Sequence, residues 1–223
     1  MLISTHKCSE HNHPEFVLEL ESGEFAVQAE QFLHTIEAMV AGGEVFKPLD
    51  PFQIGWMEGE VRNYDETRLT LFEPDMKSFP LVLVSGATNS ILQMTQQCLT
   101  LESFSIARSN MQIPSTKQSV VVCDRFRNAR SLYFSRTEAT QEKDSGWFIG
   151  CGEDEHDHHK IENLRRTTLY EAFLRRREIE NWMAFPTGTM ILLSLLKTPR
   201  VWLNDVKLPV KPGSFVDKWQ AGP

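Results

Sequence analysis

The amino-acid sequence predicts an α+β protein with two small domains, each a mostly antiparallel sheet with one or two packed helices. Short runs of β-branched and aromatic residues, separated by turn residues, predict the strands. Segments with helical periodicity or capping signals predict the helices. The chain has 223 residues, 41% hydrophobic and 24% charged, which is the composition of a globular protein with a full core.

Residues 1–112 are expected to form an acidic α+β domain. Apolar residues recur at helical spacing over 25–40, and the Gly-Gly pair that follows is typical of a helix end. Ser90 and Gln93 have capping-box spacing, which predicts the start of a second helix. The predicted strands of this domain are 16–20, 52–57, 68–72 and 81–84.

The domain boundary is predicted between residues 112 and 113, in a polar, proline-containing stretch without periodicity. The charge balance changes at the same place. Residues 1–112 carry 6 Lys and Arg against 16 Asp and Glu, whereas residues 113–223 carry 17 against 14. An acidic first domain argues against nucleic acid as a direct partner and favours a basic protein surface. The alternative is that this charge only keeps the protein soluble.

Residues 113–223 are expected to form a second α+β domain. Thr168 and Glu171 have capping-box spacing and predict a helix that ends near Arg177. The tail from Pro209 is rich in proline and glycine, and we expect it to be loose. The predicted strands are 119–123, 129–134, 146–152, 189–196 and 200–203.

The cysteines and the N-terminus both favour a cytoplasmic protein. Cys8, Cys98, Cys123 and Cys151 are far apart and lack CxxC spacing, so we expect reduced, mostly buried thiols. The N-terminus lacks a basic end followed by an apolar core, so no signal peptide is expected. No apolar run approaches the ~20 residues that a bilayer requires, so no membrane contact is predicted.

A crowded charged segment, which we call the acidic–histidine run, follows the predicted strand 146–152. Its members are Glu153, Asp154, Glu155, His156, Asp157, His158 and His159. The three histidines are metal-ligand candidates, because imidazole and carboxylate suit divalent metals, but the HExxH spacing is missing. We therefore predict no metal and no cofactor. A metal-dependent enzyme that uses this run is the alternative.

Catalytic interpretations of the same region find little support, and we predict no catalytic residue. Acids crowded in one hydrated run lack the opposing environments that paired catalytic carboxylates need. Cys151 is followed by acidic residues, whereas a reactive thiol requires positive charge nearby. The glycine patterns of phosphate-binding and dinucleotide-binding loops are absent from the sequence.

The remaining interpretation of the acidic–histidine run is a hydrated docking surface. Trp147 lies on the preceding strand, and tryptophan is enriched at interface hot spots. Trp147 is therefore a candidate anchor if its end of the strand is exposed. The alternative is a place in the core, where large aromatic side chains usually lie.

Several short motifs in the second half resemble one family. In chain order they are Asp144-Ser145-Gly146-Trp147-Phe148, Gly150-Cys151-Gly152-Glu153-Asp154-Glu155, Leu169-Tyr170-Glu171 and Phe185-Pro186-Thr187-Gly188-Thr189. This pattern is similar to that of the polymorphic-toxin immunity family thirty-three, over residues 117–205. The resemblance covers under half of the chain.

The resemblance implies an immunity protein that binds and neutralises a cognate bacterial toxin, and it implies no catalytic residues. The toxin would be a secreted or contact-dependent effector that acts in the cytosol. A basic, nuclease-like toxin domain suits an acidic inhibitor, because complementary charge speeds capture. The toxin-binding candidates are then Trp147 and all members of the acidic–histidine run.

Overall fold

The computed structural model describes residues 1–20, 23–153, 156–194 and 197–221. The chain divides into two compact units, Met1–Thr95 and Gln96–Pro223, each with its own sheet. The predicted boundary between residues 112 and 113 lies later in the chain and stays a prediction. Within the described residues, no helix is both long and apolar enough to cross a membrane.

The first unit contains a six-stranded mixed sheet. Its strands are β1 (Leu2–Ser4), β2 (Glu15–Glu19), β3 (Pro51–Ile54), β4 (Met57–Asn63), β5 (Arg68–Pro74) and β6 (Leu83–Ser85). The order is β1-β2-β5-β4-β3, and β6 pairs with β5. All pairs are antiparallel except β2 with β5. The predicted strand 52–57 is in fact a hairpin, because Gly55 takes a positive φ of 57° and turns the chain between β3 and β4.

Helix α1 (Ala26–Ala41) covers one face of this unit's core, as the periodicity of residues 25–40 predicts. Its fully buried apolar side chains are Ala29, Leu33, Ile36 and Val40. They form one helical stripe and pack in the same cluster as apolar residues of the sheet. Gly42 is the C-cap after Ala41, and Gly43 follows with a φ of 98°, a conformation that favours glycine.

Helix α2 (Thr88–Glu102) is capped by a residue distant in sequence. The buried Glu73 on β5 accepts from the Asn89 N–H at 2.9 Å and from the Ser90 N–H at 2.7 Å. Amides in the first turn have no partner within the helix itself, so these bonds satisfy them. The predicted capping box at Ser90 is therefore wrong, because the helix begins before it and a carboxylate from the sheet takes the capping role.

Replacing Glu73 by alanine is expected to lower the free energy of unfolding by about 2–3 kcal/mol, since the buried Ser90 amide and the partly buried Asn89 amide lose their acceptor. Urea denaturation of the full chain measures the loss. Glu73→Gln keeps one carbonyl oxygen as acceptor and should lose less. Glu66→Ala, at an exposed turn position, is the matched control and should stay within ~0.5 kcal/mol of the original protein. Equal losses for Glu73→Ala and Glu66→Ala would contradict the capping role.

The second unit contains a seven-stranded mixed sheet. Its strands are β7 (Ser119–Cys123), β8 (Ser131–Arg136), β9 (Asp144–Cys151), β10 (Leu164–Thr168), β11 (Thr189–Ser194), β12 (Lys197–Leu203) and β13 (Val206–Leu208). The order is β10-β7-β9-β8-β11-β12-β13, and all pairs are antiparallel except β7 with β9. The α+β class is thus confirmed. Residues 195–196 of the predicted strand 189–196 lie outside the described residues.

The parallel pair β7 and β9 brings two distant cysteines together. Val122 on β7 pairs in register with Ile149 on β9. Each strand ends shortly after this pair, at Cys123 and at Cys151. Because parallel neighbours end at the same edge of a sheet, the two thiols lie side by side there.

Two short helices follow in the second unit. Helix α3 (Leu169–Arg175) begins with the predicted capping box, in which the Glu171 N–H donates to Thr168 Oγ1 at 3.1 Å. The C-terminal tail was expected to be loose, but residues Phe215–Ala221 form helix α4. Val216 of this helix is fully buried, and its N–H donates to Ser103 Oγ at 3.2 Å. Burial of that apolar side chain outweighs the loop-like composition of the tail.

Candidate functional site

Four potential metal ligands converge in the second unit. They are Cys123, Cys151, His156 and His158, and each offers one ligand atom within 4.8 Å of all the others. The two cysteines and His156 are buried, and His158 is half-buried. We call this group the Cys2His2 cluster. It is a compact arrangement of soft and borderline donors, which is the ligand type that zinc prefers.

The sheet positions the two cysteines of the cluster. Cys123 is the last residue of β7 and Cys151 is the last residue of β9. The backbone N–H of Cys151 donates to the Cys123 sulfur at 3.2 Å, so the two strand ends are already joined there. Both thiols are free, with exposures of 0% and 1%.

His158 is placed by the absence of a side chain at Gly150. A β-carbon at Gly150 would lie 3.0 Å from Nε2 of His158, closer than such atoms normally approach. The glycine therefore lets the imidazole lie directly against the end of β9, where Nε2 is 3.5 Å from the Cys151 sulfur. Phe148 supports the ring from the same strand, at 5.4 Å between ring centroids.

His156 completes the cluster, and one of its nitrogens lacks a hydrogen bond. Its ring meets that of His158 edge to face, with centroids 4.9 Å apart. The buried Nε2 of His156 makes no hydrogen bond, although Oδ1 of Asp124 is 3.2 Å away without the required geometry. A buried polar atom without a partner is costly, so this nitrogen favours an additional ligand.

The surroundings of Cys123 and His158 disfavour the charged forms of these two side chains in the absence of a cation. Burial, together with the neighbouring Cys151, raises the pKa of Cys123 to about 11. Burial lowers the pKa of His158, and the neighbouring His156 contributes to the same shift. A thiolate–imidazolium pair for nucleophilic catalysis needs the opposite shifts and an accessible sulfur. The cluster therefore does not have the properties of a cysteine nucleophile.

The structure separates the members of the acidic–histidine run. Glu153, Asp157 and His159 are exposed, whereas His156 is buried and His158 lies between these extremes. Asp154 and Glu155 lie outside the described residues. The run is thus not one uniform surface, because two of its histidines turn inward to the cysteines and two of its acids remain in solvent.

Trp147 belongs to the core of the second unit. Its side chain is 2% exposed, and its Nε1 donates to the Met183 carbonyl oxygen at 3.1 Å. The guanidinium of Arg136 stacks over its ring at 5.3 Å. The core interpretation is confirmed for this residue, so Trp147 is not available at the surface as an interface anchor.

A second charged surface, which we call the arginine groove, borders β10. It is an open groove of about 450 Å³. Its basic lining residues are Arg127, Arg165, Arg166 and Arg175. All four are exposed, and Glu171 on the same wall is partly buried. The second unit therefore presents basic side chains as well as the exposed acids of the acidic–histidine run.

Sequence reasoning did not anticipate the two cysteines of the cluster. The lack of CxxC spacing predicts separate buried thiols, and the burial of all four cysteines is confirmed. A local signal did exist, since Cys151, His156 and His158 fall within eight positions of each other. Cys123 joins them only through the parallel pairing of β7 with β9.

The family model of the Imm33-like domain matches residues 96–204. Residues 96–204 are thus similar to the Imm33-like domain, and the resemblance read from the short motifs is confirmed by a match that starts before them. The matched range includes all four residues of the Cys2His2 cluster. Neither the curated proteins nor the solved structures contain a match to the chain.

Proposed function

We propose that this protein is an immunity protein that binds and neutralises a cognate bacterial toxin in the cytoplasm. The observation that carries the proposal is the Imm33-like domain over residues 96–204, which includes strands β7 to β12. Inhibition by binding requires a rigid scaffold and a specific surface, and it requires no catalysis by the inhibitor.

The roles of the motif residues support this proposal. Ser145 Oγ donates to the Ser119 carbonyl oxygen at 2.7 Å, and Gly146 turns the chain with a φ of 73°. Trp147 is in the core. These residues hold the scaffold together, so toxin specificity would rest on the exposed positions between them.

The proposed partner is a secreted or contact-dependent toxin domain, and a basic, nuclease-like domain is the class that we favour. Residues 1–95 carry 5 Lys and Arg against 15 Asp and Glu, so the acidic charge lies in the first compact unit. Such an excess would attract a basic protein and speed its capture. The same charge would repel nucleic acid, which makes a direct nucleic-acid partner the less favoured alternative.

A protection assay tests the proposed function directly. The toxin domain encoded beside this gene is expressed from an inducible promoter in a sensitive bacterial host, with and without the full-length protein. We expect the toxin domain alone to stop growth and the full-length protein to restore it. The two proteins should also form a complex that survives size-exclusion chromatography. Unrelieved toxicity together with no complex would overturn the proposal.

Glu153 and Asp157 are the acidic contact candidates that the structure describes, and the double substitution to alanine should weaken toxin binding about 10-fold or more. Their exposure means that little stability is lost with them. Isothermal titration calorimetry measures the affinity. Asp154 and Glu155 belong to the same candidate surface by sequence and are the next positions to substitute.

Two comparisons make this experiment specific. Glu138→Ala with Glu142→Ala removes two exposed acids elsewhere in the same unit and should leave the affinity unchanged. Arg165→Ala with Arg166→Ala instead tests the arginine groove. If the arginine variant loses binding and the Glu153 and Asp157 variant does not, the acidic–histidine run is not the interface.

A further inference from the structure

We propose that the Cys2His2 cluster binds one structural zinc ion. The ligands are the sulfurs of Cys123 and Cys151 and one ring nitrogen each of His156 and His158. This proposal does not depend on the identity of any toxin. The metal content of the purified protein tests it directly.

The separations between the ligand atoms are close to those of a tetrahedral zinc site. Zinc lies about 2.3 Å from thiolate sulfur and about 2.0–2.1 Å from imidazole nitrogen, which places neighbouring ligand atoms about 3.3–3.8 Å apart. The Cys151 sulfur and Nε2 of His158 are 3.5 Å apart and already match this geometry. All four atoms lie within 4.8 Å of one another, so inward movements of about 1 Å complete the site.

The chemistry of the donors selects zinc among the common divalent ions. Two sulfurs and two imidazoles suit tetrahedral zinc, whereas magnesium and calcium require oxygen ligands. Two thiolates balance the double positive charge of the ion, so the occupied site is neutral overall and can remain buried. Nε2 of His156 is buried without a hydrogen bond and has only the ionic contact with Asp124 at 3.2 Å, which is a further reason for a ligand here.

Four protein ligands make this a structural site. A catalytic zinc keeps one position open for water or substrate, and a Cys2His2 set fills the tetrahedron. The proposal therefore differs from the metal-dependent enzyme considered from the sequence, which used His156, His158 and His159 with nearby acids. His159 is exposed and does not belong to the cluster.

A disulfide between Cys123 and Cys151 is the main competing interpretation of the paired cysteines. It leaves the two histidines unexplained, although both rings point their nitrogens into the same small volume. It also leaves unexplained why Gly150 makes room for His158 beside the Cys151 sulfur. One bound ion accounts for all four side chains together.

The ion would fasten the segment after β9 to the edge of the sheet. In the described part of this segment, the hydrogen bonds are mostly local. The His156 N–H donates to the Glu153 carbonyl oxygen at 3.2 Å, and the Asn163 side chain donates to the Asp157 carbonyl oxygen at 2.8 Å. At the two ends of this segment, the Gly152 N–H donates to the Ser131 carbonyl oxygen and the Asp124 N–H donates to the Asn163 carbonyl oxygen, both at 2.9 Å. Metal bonds to His156 and His158 would add direct bonds from the middle of the segment to the ends of β7 and β9.

Metal analysis of the unaltered protein is the primary experiment. The full chain is purified without a histidine tag under reducing conditions, incubated with zinc sulfate, passed through a desalting column and analysed by inductively coupled plasma mass spectrometry. We expect about one zinc per chain, with a matching mass increase in native mass spectrometry. Less than a tenth of an equivalent, or a Cys123–Cys151 disulfide in metal-free protein, would overturn the proposal.

Variants identify the ligands. Cys151→Ser and His158→Asn should each lose at least nine tenths of the bound zinc, whereas His159→Asn and Cys98→Ser should retain it. Gly150→Ala keeps every ligand but crowds His158, so it should weaken zinc binding without abolishing it. Full retention of zinc by both Cys151→Ser and His158→Asn would show that the ion binds elsewhere and would overturn the assignment.

Cobalt substitution reports the geometry even if a ligand variant fails to fold. Cobalt(II) added to the metal-free, unaltered protein should give the intense visible absorption of a tetrahedral site and a near-ultraviolet thiolate-to-metal band. Added zinc should displace it and remove both bands. A weak octahedral spectrum without the thiolate band would contradict a Cys2His2 site.

Discussion

Arg136→Met is expected to lower the free energy of unfolding by about 3–5 kcal/mol. Arg136 lies at the end of β8 with only 9% of its surface exposed. Its Nη1 donates to the carbonyl oxygens of Gln112, Met183 and Phe185, so one side chain joins the strand to two other segments of the second unit. Burial lowers the pKa of its guanidinium to about 10, which leaves it charged near neutral pH.

The size of this effect follows from the groups that the methionine would leave behind. Methionine fills a similar volume but donates no hydrogen bond. The carbonyl oxygens of Gln112 and Phe185 would therefore lose the Arg136 donor, and the cation–π contact with Trp147 would disappear. Arg136→Lys keeps the charge but loses the planar guanidinium that lies over Trp147, so its loss of stability should be smaller than that of Arg136→Met.

Urea denaturation with hydrogen exchange of the second unit's amides measures the loss from Arg136→Met. The exchange readout is needed because the chain has two compact units and a single global transition is not assured. Arg130→Met, at an exposed position six residues earlier, is the matched control and should change stability by less than ~0.5 kcal/mol. Similar losses for the two variants would contradict the role of Arg136.

Zinc removal is expected to lower the stability of the second unit by about 4 kcal/mol when the starting free zinc concentration is 1,000 times the dissociation constant. Zinc bound only to the folded state stabilises it by mass action. Each tenfold decrease in free zinc above the dissociation constant should therefore cost about 1.4 kcal/mol. Thermal unfolding in zinc buffers made with a chelator measures this dependence.

The local counterpart of this prediction concerns the acidic–histidine run. Removal of zinc should increase amide exchange and protease cleavage between residues 152 and 163 before the rest of the unit unfolds, because the histidines lose their attachment to the strand ends. His158→Asn should show the loosened state with or without zinc. Stability and exchange that stay constant over all zinc concentrations would contradict the linkage.

Local signals in the sequence were sufficient for several elements. The apolar stripe of α1 and the Gly-Gly pair after it are set by neighbouring residues, and the structure places the helix within one residue of the prediction at each end. The capping box of Thr168 and Glu171 is also local, since both partners belong to the same turn. Strand β7 matches its predicted range because five β-branched or small residues carry the signal themselves.

Other elements depend on contacts that the local sequence does not contain. Glu73 caps α2 from another strand, so the pattern at Ser90 was misleading. The C-terminal segment is helical because Val216 is buried and its N–H donates to Ser103 Oγ. The composition of the tail did not predict either contact. In each case a tertiary contact outweighs a weak local preference.

The sequence by itself determined the α+β class, the separation of charge along the chain and the similarity of its second half to an immunity-like domain. These properties rest on periodicity, composition and short motifs, each of which is local or additive along the chain. Only the tertiary structure decided that Cys123 meets Cys151, His156 and His158. Their convergence depends on a parallel strand pair, and strand periodicity contains no information on which strands become neighbours or in which direction they run.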